Sequence, residues 1–297
     1  EILNNSMSKT SYYKGLNIYT EETTVKVVNP LSADLGVMRQ TLLFGGLESI
    51  IRNVNRKSPN LRFFEFGNCY HYNPDKKDED CPINAYAEET HLALWLTGKR
   101  VSGSWIHPDE STSFYELRAY VQNILRRVGM PQGMLVMEKT DNNVFSNGVV
   151  LKNRGGKSFV EMGIVSTALL KQNDIDVPVF YADLHWDNIV KAVRKSVVSF
   201  KEISKYPSVS RDLALLLDNE IEFEQVERVA FQSEKKLLKK VELFDVYQGD
   251  KLPVGKKSYA VNFVLQDEQA TLNDKKIDAI MSKLIANLKK QLGAELR

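Results

Sequence analysis

The chain has 297 residues, of which 43% are hydrophobic and 26% charged, so it is globular and long enough for about two domains. Its formal net charge of +2 excludes a basic field over the whole surface, so any contact with nucleic acid depends on local patches. Two cysteines exclude a disulfide framework and favour a reduced, cytoplasmic setting, and no apolar run reaches the roughly 18 residues of a membrane span. Because the chain begins with Glu1 rather than methionine, we expect it to be a piece of a longer protein.

The first 194 residues predict an α+β arrangement, in which a sheet made largely of hairpins carries helices. Helical spacing of apolar residues follows the pair Gly45-Gly46, and an amphipathic stripe predicts a helix over 112–129. The turn at 153–156 predicts a hairpin. Apolar alternation and β-branched or aromatic residues predict strands at 25–28, 61–72, 90–99, 134–140, 144–152, 157–165 and 179–184, with a short helix at 186–193.

A basic segment at 194–198 separates this pattern from a second one, so we predict one domain over residues 1–196 and another over 197–297. The second part has the order β-α-β-β-α-β, which predicts a ferredoxin-like fold, a topology that RNA-recognition sheets also use. Asn273 is expected to cap its long last helix and Gly293 to end that helix.

The stretch FDVYQGDKLPVGKKS, residues 244–258, combines several side chains that suit an unpaired nucleotide. Asp245 and Tyr247 are two residues apart and so share one face of a strand, and a hairpin would bring Ser258 close to them. An aromatic ring can stack on a base, a carboxylate can accept from its N–H groups, and Lys256 and Lys257 can approach phosphates. The same residues also fit a solvated hairpin with an edge tyrosine, so this pattern leaves both interpretations open.

No other constellation predicts a catalytic or metal site. The four histidines are scattered without metal-ligand spacing, and spacing does not support a histidine–cysteine pair, so a buried thiol is the better interpretation of Cys69. The run at 154–157, RGGK, lacks the spacing of a phosphate-binding loop and is typical of a hairpin turn. Arg62 and Glu65 are three apart on a predicted strand and therefore point to opposite faces, which argues against a joint catalytic role.

Four ordered segments carry a family resemblance that covers essentially the whole chain. The segments NPLSADLGVMRQTLLFGGLESIIRN (29–53) and LRFFEFGNCY (61–70) resemble the synthetase-like region of the β-subunit family of bacterial phenylalanyl-tRNA synthetases. FKEISKYPSVSRDLALLLD (200–218) and the run FDVYQG…GKKSYA…TLND…LR are similar to the C-terminal anticodon-binding domain of that family. Such subunits are much longer, so the resemblance implies that this chain is their C-terminal part.

The resemblance implies that residues 1–196 form a class II synthetase-like antiparallel sheet that has lost catalysis. A working class II site needs an Arg-x-Glu grip on ATP, whereas Arg62 and Glu65 are spaced R-x-x-E. It also needs a glycine-rich stretch ending in arginine, whereas YADLHWDNIVKAV (181–193) contains neither residue. Without positive charge at the triphosphate, adenylate formation lacks its main electrostatic stabilisation, so we expect no catalytic residue and no amino-acid activation by this chain alone.

The same resemblance implies roles for the residues of the 244–258 stretch. Asp245, Tyr247 and Ser258 match the aspartate, tyrosine and serine with which the family meets the first anticodon base, a guanine in phenylalanine tRNA. Lys256 and Lys257 would lie near phosphates. Arg211, in Ser210-Arg211-Asp212, also matches the family pattern and is expected either to contact RNA or to pair with its protein neighbours.

The implied partners are a catalytic α subunit, in an (αβ)2 heterotetramer, and phenylalanine tRNA, with no membrane involved. ATP and Mg²⁺ would belong to the assembled enzyme, and we expect neither a cofactor nor a metal on this chain. An alternative of another class is a self-contained class II-like enzyme whose ferredoxin-like domain binds a small regulatory ligand. Pyrophosphate exchange by the chain alone would distinguish this alternative.

Overall fold

The computed structural model describes residues 1–131, 133–197, 200 and 202–297. The chain divides into two compact units, residues 1–198 and 199–297, and each is treated by itself below. Val198, at the end of the basic segment that we expected to separate the domains, lies outside the described residues. No helix in the described part of the chain is long and apolar enough to cross a bilayer.

The first unit is built on a six-stranded antiparallel sheet, which confirms the α+β prediction. Its strand order is β3-β4-β10-β9-β8-β7, and two small two-stranded sheets, β1-β2 and β5-β6, accompany it. The strands are β1 Met7–Ser8, β2 Val37–Met38, β3 Leu61–Tyr72, β4 Tyr86–Thr97, β5 Lys99–Val101, β6 Glu110–Ser111, β7 Leu135–Lys139, β8 Phe145–Asn153, β9 Ser158–Val165 and β10 Val179–His185. The helices are α1 Leu43–Asn55, α2 Phe114–Arg127, α3 Thr167–Gln172 and α4 Trp186–Val193.

Side chains from both faces of this sheet are buried. On one face, Trp95 and Tyr181 pack with α1 and with the segments that precede it. On the other, Leu94 and Leu184 pack with the apolar stripes of α2 and α4. Burial on both faces explains why residues 92–96 of β4 and most of β10 are nearly continuous apolar runs in sequence.

Most of the predicted elements of the first unit are confirmed, but two predictions need correction. The strand expected at 25–28 is reduced to an isolated bridge between Lys26 and Val37, and Pro30, which has no N–H to donate to a ladder, follows soon after. Helix α1 begins before the glycine pair rather than after it. Gly46 lies against the indole ring of Trp95, and a β-carbon at that position would overlap the ring, so the helix needs glycine there in order to pack.

The second unit has the β-α-β-β-α-β order that the sequence predicted. Its antiparallel sheet has the order β12-β13-β11-β14, and both helices contribute to one apolar core on one face of it. Asn273 caps the last helix through its side chain, and Gly293 ends it with φ +63°, as expected. The elements are β11 Val209–Asp218, α5 Phe223–Ser233, β12 Leu238–Tyr247, β13 Lys256–Leu265, α6 Asp274–Leu292 and β14 Glu295–Leu296.

Candidate nucleic-acid interface

One face of the second unit's sheet packs against α5 and α6, and we call the opposite side the open face. In the register of β11 and β13, Leu215, Tyr259 and Phe263 point towards the helices and are buried in the core. The alternate positions, represented by Ser258 and Ala260, therefore point to the open face.

The hairpin of β12 and β13 brings the predicted site residues together on the open face. Tyr247 is paired directly with Ser258, and Asp245 is paired with Ala260. Residues opposite one another in an antiparallel pair project to the same side, so all three predicted base-contacting side chains lie on one surface.

This arrangement depends on an irregularity that the alternation of residues did not predict. Between Leu243 and Asp245 the register shifts by one residue, and Phe244 is the extra residue of a β-bulge. Without the bulge, continued alternation from Glu242, which is paired with Asn262, would place Asp245 and Tyr247 on the helix side. The bulge therefore turns both side chains to the open face.

Asp245 is exposed, and no described residue makes a hydrogen bond or ion pair to its carboxylate. Both oxygens are therefore available to accept hydrogen bonds from a ligand. Ser258 has different surroundings. It is only 5% exposed, because it lies on the central strand between Tyr247 on one side and Leu216 on the other. Ser258 therefore lies at the floor of the open face rather than on its outer surface.

The ring of Tyr247 is half-buried and is held in position from two directions. The guanidinium of Arg297 lies over the ring, with Cζ 5.2 Å from the ring centroid, which is a cation–π geometry. The hydroxyl end of the tyrosine packs against Gly249, where an added β-carbon would be 2.7 Å from Oη. The tyrosine is thus positioned before any ligand arrives, which lowers the entropic cost of stacking.

Arg297 is a candidate site residue that the analysis of the sequence missed. Its backbone N–H donates to the carbonyl of Ala214, which fixes the end of the chain beside β11, and its exposed side chain extends over the open face to Tyr247. The only signal in the sequence was the final Leu-Arg of the family resemblance. That signal could not show how far the side chain reaches.

The three predicted backbone-contacting cations have different positions. Lys256 lies on the open face and pairs with Asp218 at 2.9 Å, and this hydrogen-bonded partner raises the pKa of the lysine. Lys257 points to the helix side, where its ammonium donates to the carbonyl of Asn219 and lies over a core tyrosine ring.

Arg211 is also on the helix side of the sheet. Its register partner on β13 is Phe263, whose side chain is part of the core, and its guanidinium is 3.8 Å from Asp274 at the start of α6. Of the three cations, the fold therefore brings only Lys256 to the surface that carries Asp245 and Tyr247.

In the first unit, the residues that would have to grip ATP are committed to other contacts. Arg62 forms two hydrogen bonds with the carboxylate of Glu116 on α2, at 3.0 and 3.2 Å. Glu65 is buried on the other face and pairs with Arg39 at 2.8 Å. The structure thus confirms that Arg62 and Glu65 diverge, and neither fits a role in holding a triphosphate.

Comparison with known proteins gives two family matches. Residues 1–186 match the family described as "Phenylalanyl tRNA synthetase beta chain CLM domain". Residues 204–297 match the family described as "Ferredoxin-fold anticodon binding domain". Together the two matches account for both compact units.

Curated relatives match along the entire chain. The phenylalanine–tRNA ligase β subunits of Bacteroides fragilis and Bacteroides thetaiotaomicron are each 54% identical over 297 residues, and that of Porphyromonas gingivalis is 46% identical. The match covers 100% of this chain but 36% of each relative, so the chain spans about a third of their length. A solved pyrrolysyl-tRNA synthetase from Desulfitobacterium hafniense aligns with 66% of this chain and 63% of its own, at 13% identity and a TM-score of 0.46, which is too distant to support an argument.

Proposed function

We propose that this chain, which belongs to the phenylalanyl-tRNA synthetase β-chain family, binds the anticodon of phenylalanine tRNA through the open face of its second unit. The observation that carries the proposal is the bulged hairpin, which brings the exposed Asp245, the half-buried Tyr247 and the buried Ser258 to one face of the sheet. In this role the chain supports the attachment of phenylalanine to tRNA by a larger enzyme and performs no chemistry of its own.

Each of the three side chains has a distinct task at the first anticodon base. The Watson–Crick edge of guanine presents two neighbouring N–H donors, and the unpaired carboxylate of Asp245 is a matching acceptor. The Tyr247 ring stacks on the base, an interaction that contributes about 1–3 kcal/mol in single-stranded recognition. Ser258 lies beside the ring and adds a hydrogen bond or packing at the base edge.

Adenine at the same position would be rejected for a simple electrostatic reason. Its Watson–Crick edge has an unprotonated N1, so a lone pair would face the carboxylate of Asp245 in place of a donor. Tyr247 would stack on either base, because stacking depends weakly on base identity. Asp245 therefore supplies discrimination, whereas Tyr247 supplies affinity.

Positive charge on this surface is limited, so we propose a modest electrostatic contribution. Arg297 and Lys256 are the cations that the fold brings near Tyr247 and Ser258, and Lys256 is already paired with Asp218. Each phosphate contact that is made adds to the salt dependence of binding. With one or two such contacts, affinity falls only gently with added salt.

We propose that the first unit packs against a catalytic α subunit in an (αβ)2 assembly and has a structural role there. We place this assembly in the cytoplasm, where both free cysteines would stay reduced. Aromatic side chains left exposed on one side of its sheet support a protein partner there, notably Phe64 and Phe66 on β3 and Tyr115 on α2. ATP and Mg²⁺ would serve the assembled enzyme. Because Arg62 pairs with Glu116 and Glu65 pairs with Arg39, we do not assign ATP or Mg²⁺ to this chain. The same contacts disfavour a self-contained enzyme.

The test compares two anticodon stem-loops of phenylalanine tRNA, one with guanine and one with adenine at the first anticodon position, by fluorescence anisotropy at low salt. We expect Asp245→Asn to abolish the preference for guanine and Tyr247→Ala to weaken binding of both RNAs by about 5- to 150-fold, the equivalent of 1–3 kcal/mol. Tyr247→Phe should retain most of the affinity. Asp278→Asn is the matched control, because Asp278 is an exposed carboxylate on α6 in the same unit. Equal binding of the two RNAs by the unmodified chain, with strong salt sensitivity, would refute base recognition and leave backbone attraction alone.

A further inference from the structure

A group of histidine and carboxylate side chains lies on the sheet of the first unit, away from the proposed RNA surface. Glu89 and His91 are two apart on β4 and therefore share a face, and His185 on β10 is paired directly with His91. One potential ligand atom from each of the three residues lies within 4.8 Å of the others. The two imidazole rings are 4.7 Å apart between centroids.

The orientation of His91 is fixed by a buried carboxylate. Its Nδ1 is 2.6 Å from Oδ1 of Asp183, and these residues are only 3% and 2% exposed. Because an ionised carboxylate can only accept, Nδ1 carries the proton and the lone pair of the neutral ring is on Nε2. This is the carboxylate–histidine arrangement that commonly orients metal ligands.

The second ring nitrogen of His91, Nε2, faces the carboxylate of Glu89 but makes no hydrogen bond in the described structure. Nε2 is buried without a hydrogen bond in the described structure, and it is 3.6 Å from Oε2 of Glu89, beyond hydrogen-bond distance. The same Glu89 oxygen is 3.9 Å from Nδ1 of His185. A buried polar atom without a partner is rare in folded proteins and needs an explanation.

We propose that Glu89, His91 and His185 bind a divalent transition-metal ion of the Zn²⁺ class, with Asp183 as the residue that positions His91. Two imidazoles and one carboxylate suit Zn²⁺, whereas Mg²⁺ prefers oxygen ligands alone. Donor atoms around a tetrahedral Zn²⁺ are about 3.3 Å apart, as follows from bond lengths of about 2.0–2.1 Å. The Glu89 oxygen is 3.6 and 3.9 Å from the two histidine nitrogens and needs a small contraction, whereas the nitrogens lie within 4.8 Å of each other, so His185 has to move towards His91 by up to about 1.5 Å.

The surroundings of the site allow an ion to enter and leave room for a fourth ligand. Glu89 is about half exposed and His185 about a quarter exposed, so the group opens to solvent on one side. The exposed carboxylate can rotate to close the remaining distance, whereas His91 is held rigid. Three protein ligands with an open position leave space for a water molecule.

The competing explanation is that a proton occupies the place of the metal. Burial lowers the pKa of His91, but the neighbouring Asp183 and Glu89 carboxylates outweigh burial and raise the pKa to about 10. The same negative charges that favour a proton on Nε2 also favour a metal ion there, and binding of the ion would release the proton. The two states are distinguished by measuring metal binding directly.

The test uses the 297-residue chain after removal of metal by a chelator, titrated with Zn²⁺ by calorimetry in the presence of excess Mg²⁺. We expect one Zn²⁺ per chain. His185→Ala should weaken binding by at least 100-fold, and Asp183→Asn by 10- to 100-fold, since loss of an orienting partner has that effect. His107→Ala is the matched control, because His107 is exposed in a loop and should leave Zn²⁺ binding unchanged.

Co²⁺ absorption and thermal unfolding give readouts that do not depend on the function of the protein. The unmodified chain should show the visible spectrum of four-coordinate Co²⁺ with nitrogen and oxygen ligands, and Zn²⁺ should raise its Tm, because the ion binds the folded state alone. In His185→Ala both effects should disappear while circular dichroism shows an intact fold. Absence of saturable Zn²⁺ binding, or equal affinity in His185→Ala, would overturn the proposal. All of these residues lie in the first unit, so either result leaves the RNA-binding proposal untouched.

Discussion

The buried ion pair between Arg39 and Glu65 should be a sensitive electrostatic contact of the first unit. The guanidinium donates to Glu65 at 2.8 Å and to the backbone carbonyl of Asn68 at 2.9 Å, and Asn4 donates to the second oxygen of Glu65 at 2.6 Å. The side chains of the pair are 8% and 1% exposed. Replacement of Glu65 by alanine therefore leaves an arginine charge in the interior without its counter-ion.

The expected loss follows from the asymmetry between breaking a buried pair and replacing it. Removal of one partner from a buried ion pair costs about 3–5 kcal/mol, because the other charge remains desolvated. For a unit of this size, that loss corresponds to a fall in Tm of roughly 6–20 °C. The double variant Arg39→Met, Glu65→Leu should recover most of the stability, since no unpaired charge is left.

Tryptophan fluorescence during urea unfolding is the assay, because it reports the first unit selectively. All three tryptophans, Trp95, Trp105 and Trp186, lie in that unit. Glu110→Ala is the matched control. Glu110 pairs with Arg100 at 3.0 Å, close to the 2.8 Å of the Arg39–Glu65 pair, but both of its side chains are more than half exposed. The control should change the free energy of unfolding by less than about 0.5 kcal/mol. If Glu65→Ala lowered the free energy of unfolding no more than Glu110→Ala does, the buried ion pair would not stabilise the fold in the way proposed here.

Three further predictions follow from individual contacts. Gly249→Ala should lower anticodon affinity several-fold without changing the stability of the second unit, because the added methyl displaces the tyrosine hydroxyl; anisotropy and thermal unfolding measure the two effects, and unaltered affinity would contradict it. Cys69 should resist a disulfide reagent in the native protein, since burial raises the pKa of its thiol, whereas partly exposed Cys81 should react; a native titre of two rapidly reacting thiols would be inconsistent with this fold. Gly293→Ala should destabilise the second unit by about 1 kcal/mol, because alanine at φ +63° is strained, and an unchanged midpoint of chemical unfolding would contradict the left-handed helix end.

The sequence predicted those parts of the fold that depend on local pattern. Helix α6 carries a capping asparagine, one apolar stripe and a terminating glycine, and all three signals agree on its bounds. The face relation of Arg62 and Glu65 also follows from two-residue alternation alone, and it is confirmed. The start of α1 was missed because the apolar spacing is visible only after the glycine pair, whereas tertiary contact with Trp95 is what requires Gly46.

Contacts between distant parts of the chain were beyond the reach of such patterns. His91 and His185 become neighbours only through the pairing of β4 with β10, and neither spacing nor alternation specifies which strands pair or in what register. Arg297 reaches Tyr247 because β14 is placed beside β11, which is likewise a property of the assembled sheet. In the sequence, the His91–His185 pair and the Arg297–Tyr247 pair show no pattern that links their members; only the topology of the sheets does so.

The bulge at Phe244 shows how a single residue decides which chemistry a surface presents. Alternation from Glu242 assigns Asp245 and Tyr247 to the helix side of the sheet, away from the open face that carries Ser258. One extra residue reverses the assignment for everything after it on the strand, and it leaves Val246 opposite Tyr259 on the helix side. Val246 is about half exposed and lies outside the buried core, so the chemical consequence of the bulge falls on Asp245 and Tyr247. The bulge thus creates the surface on which the proposed recognition depends.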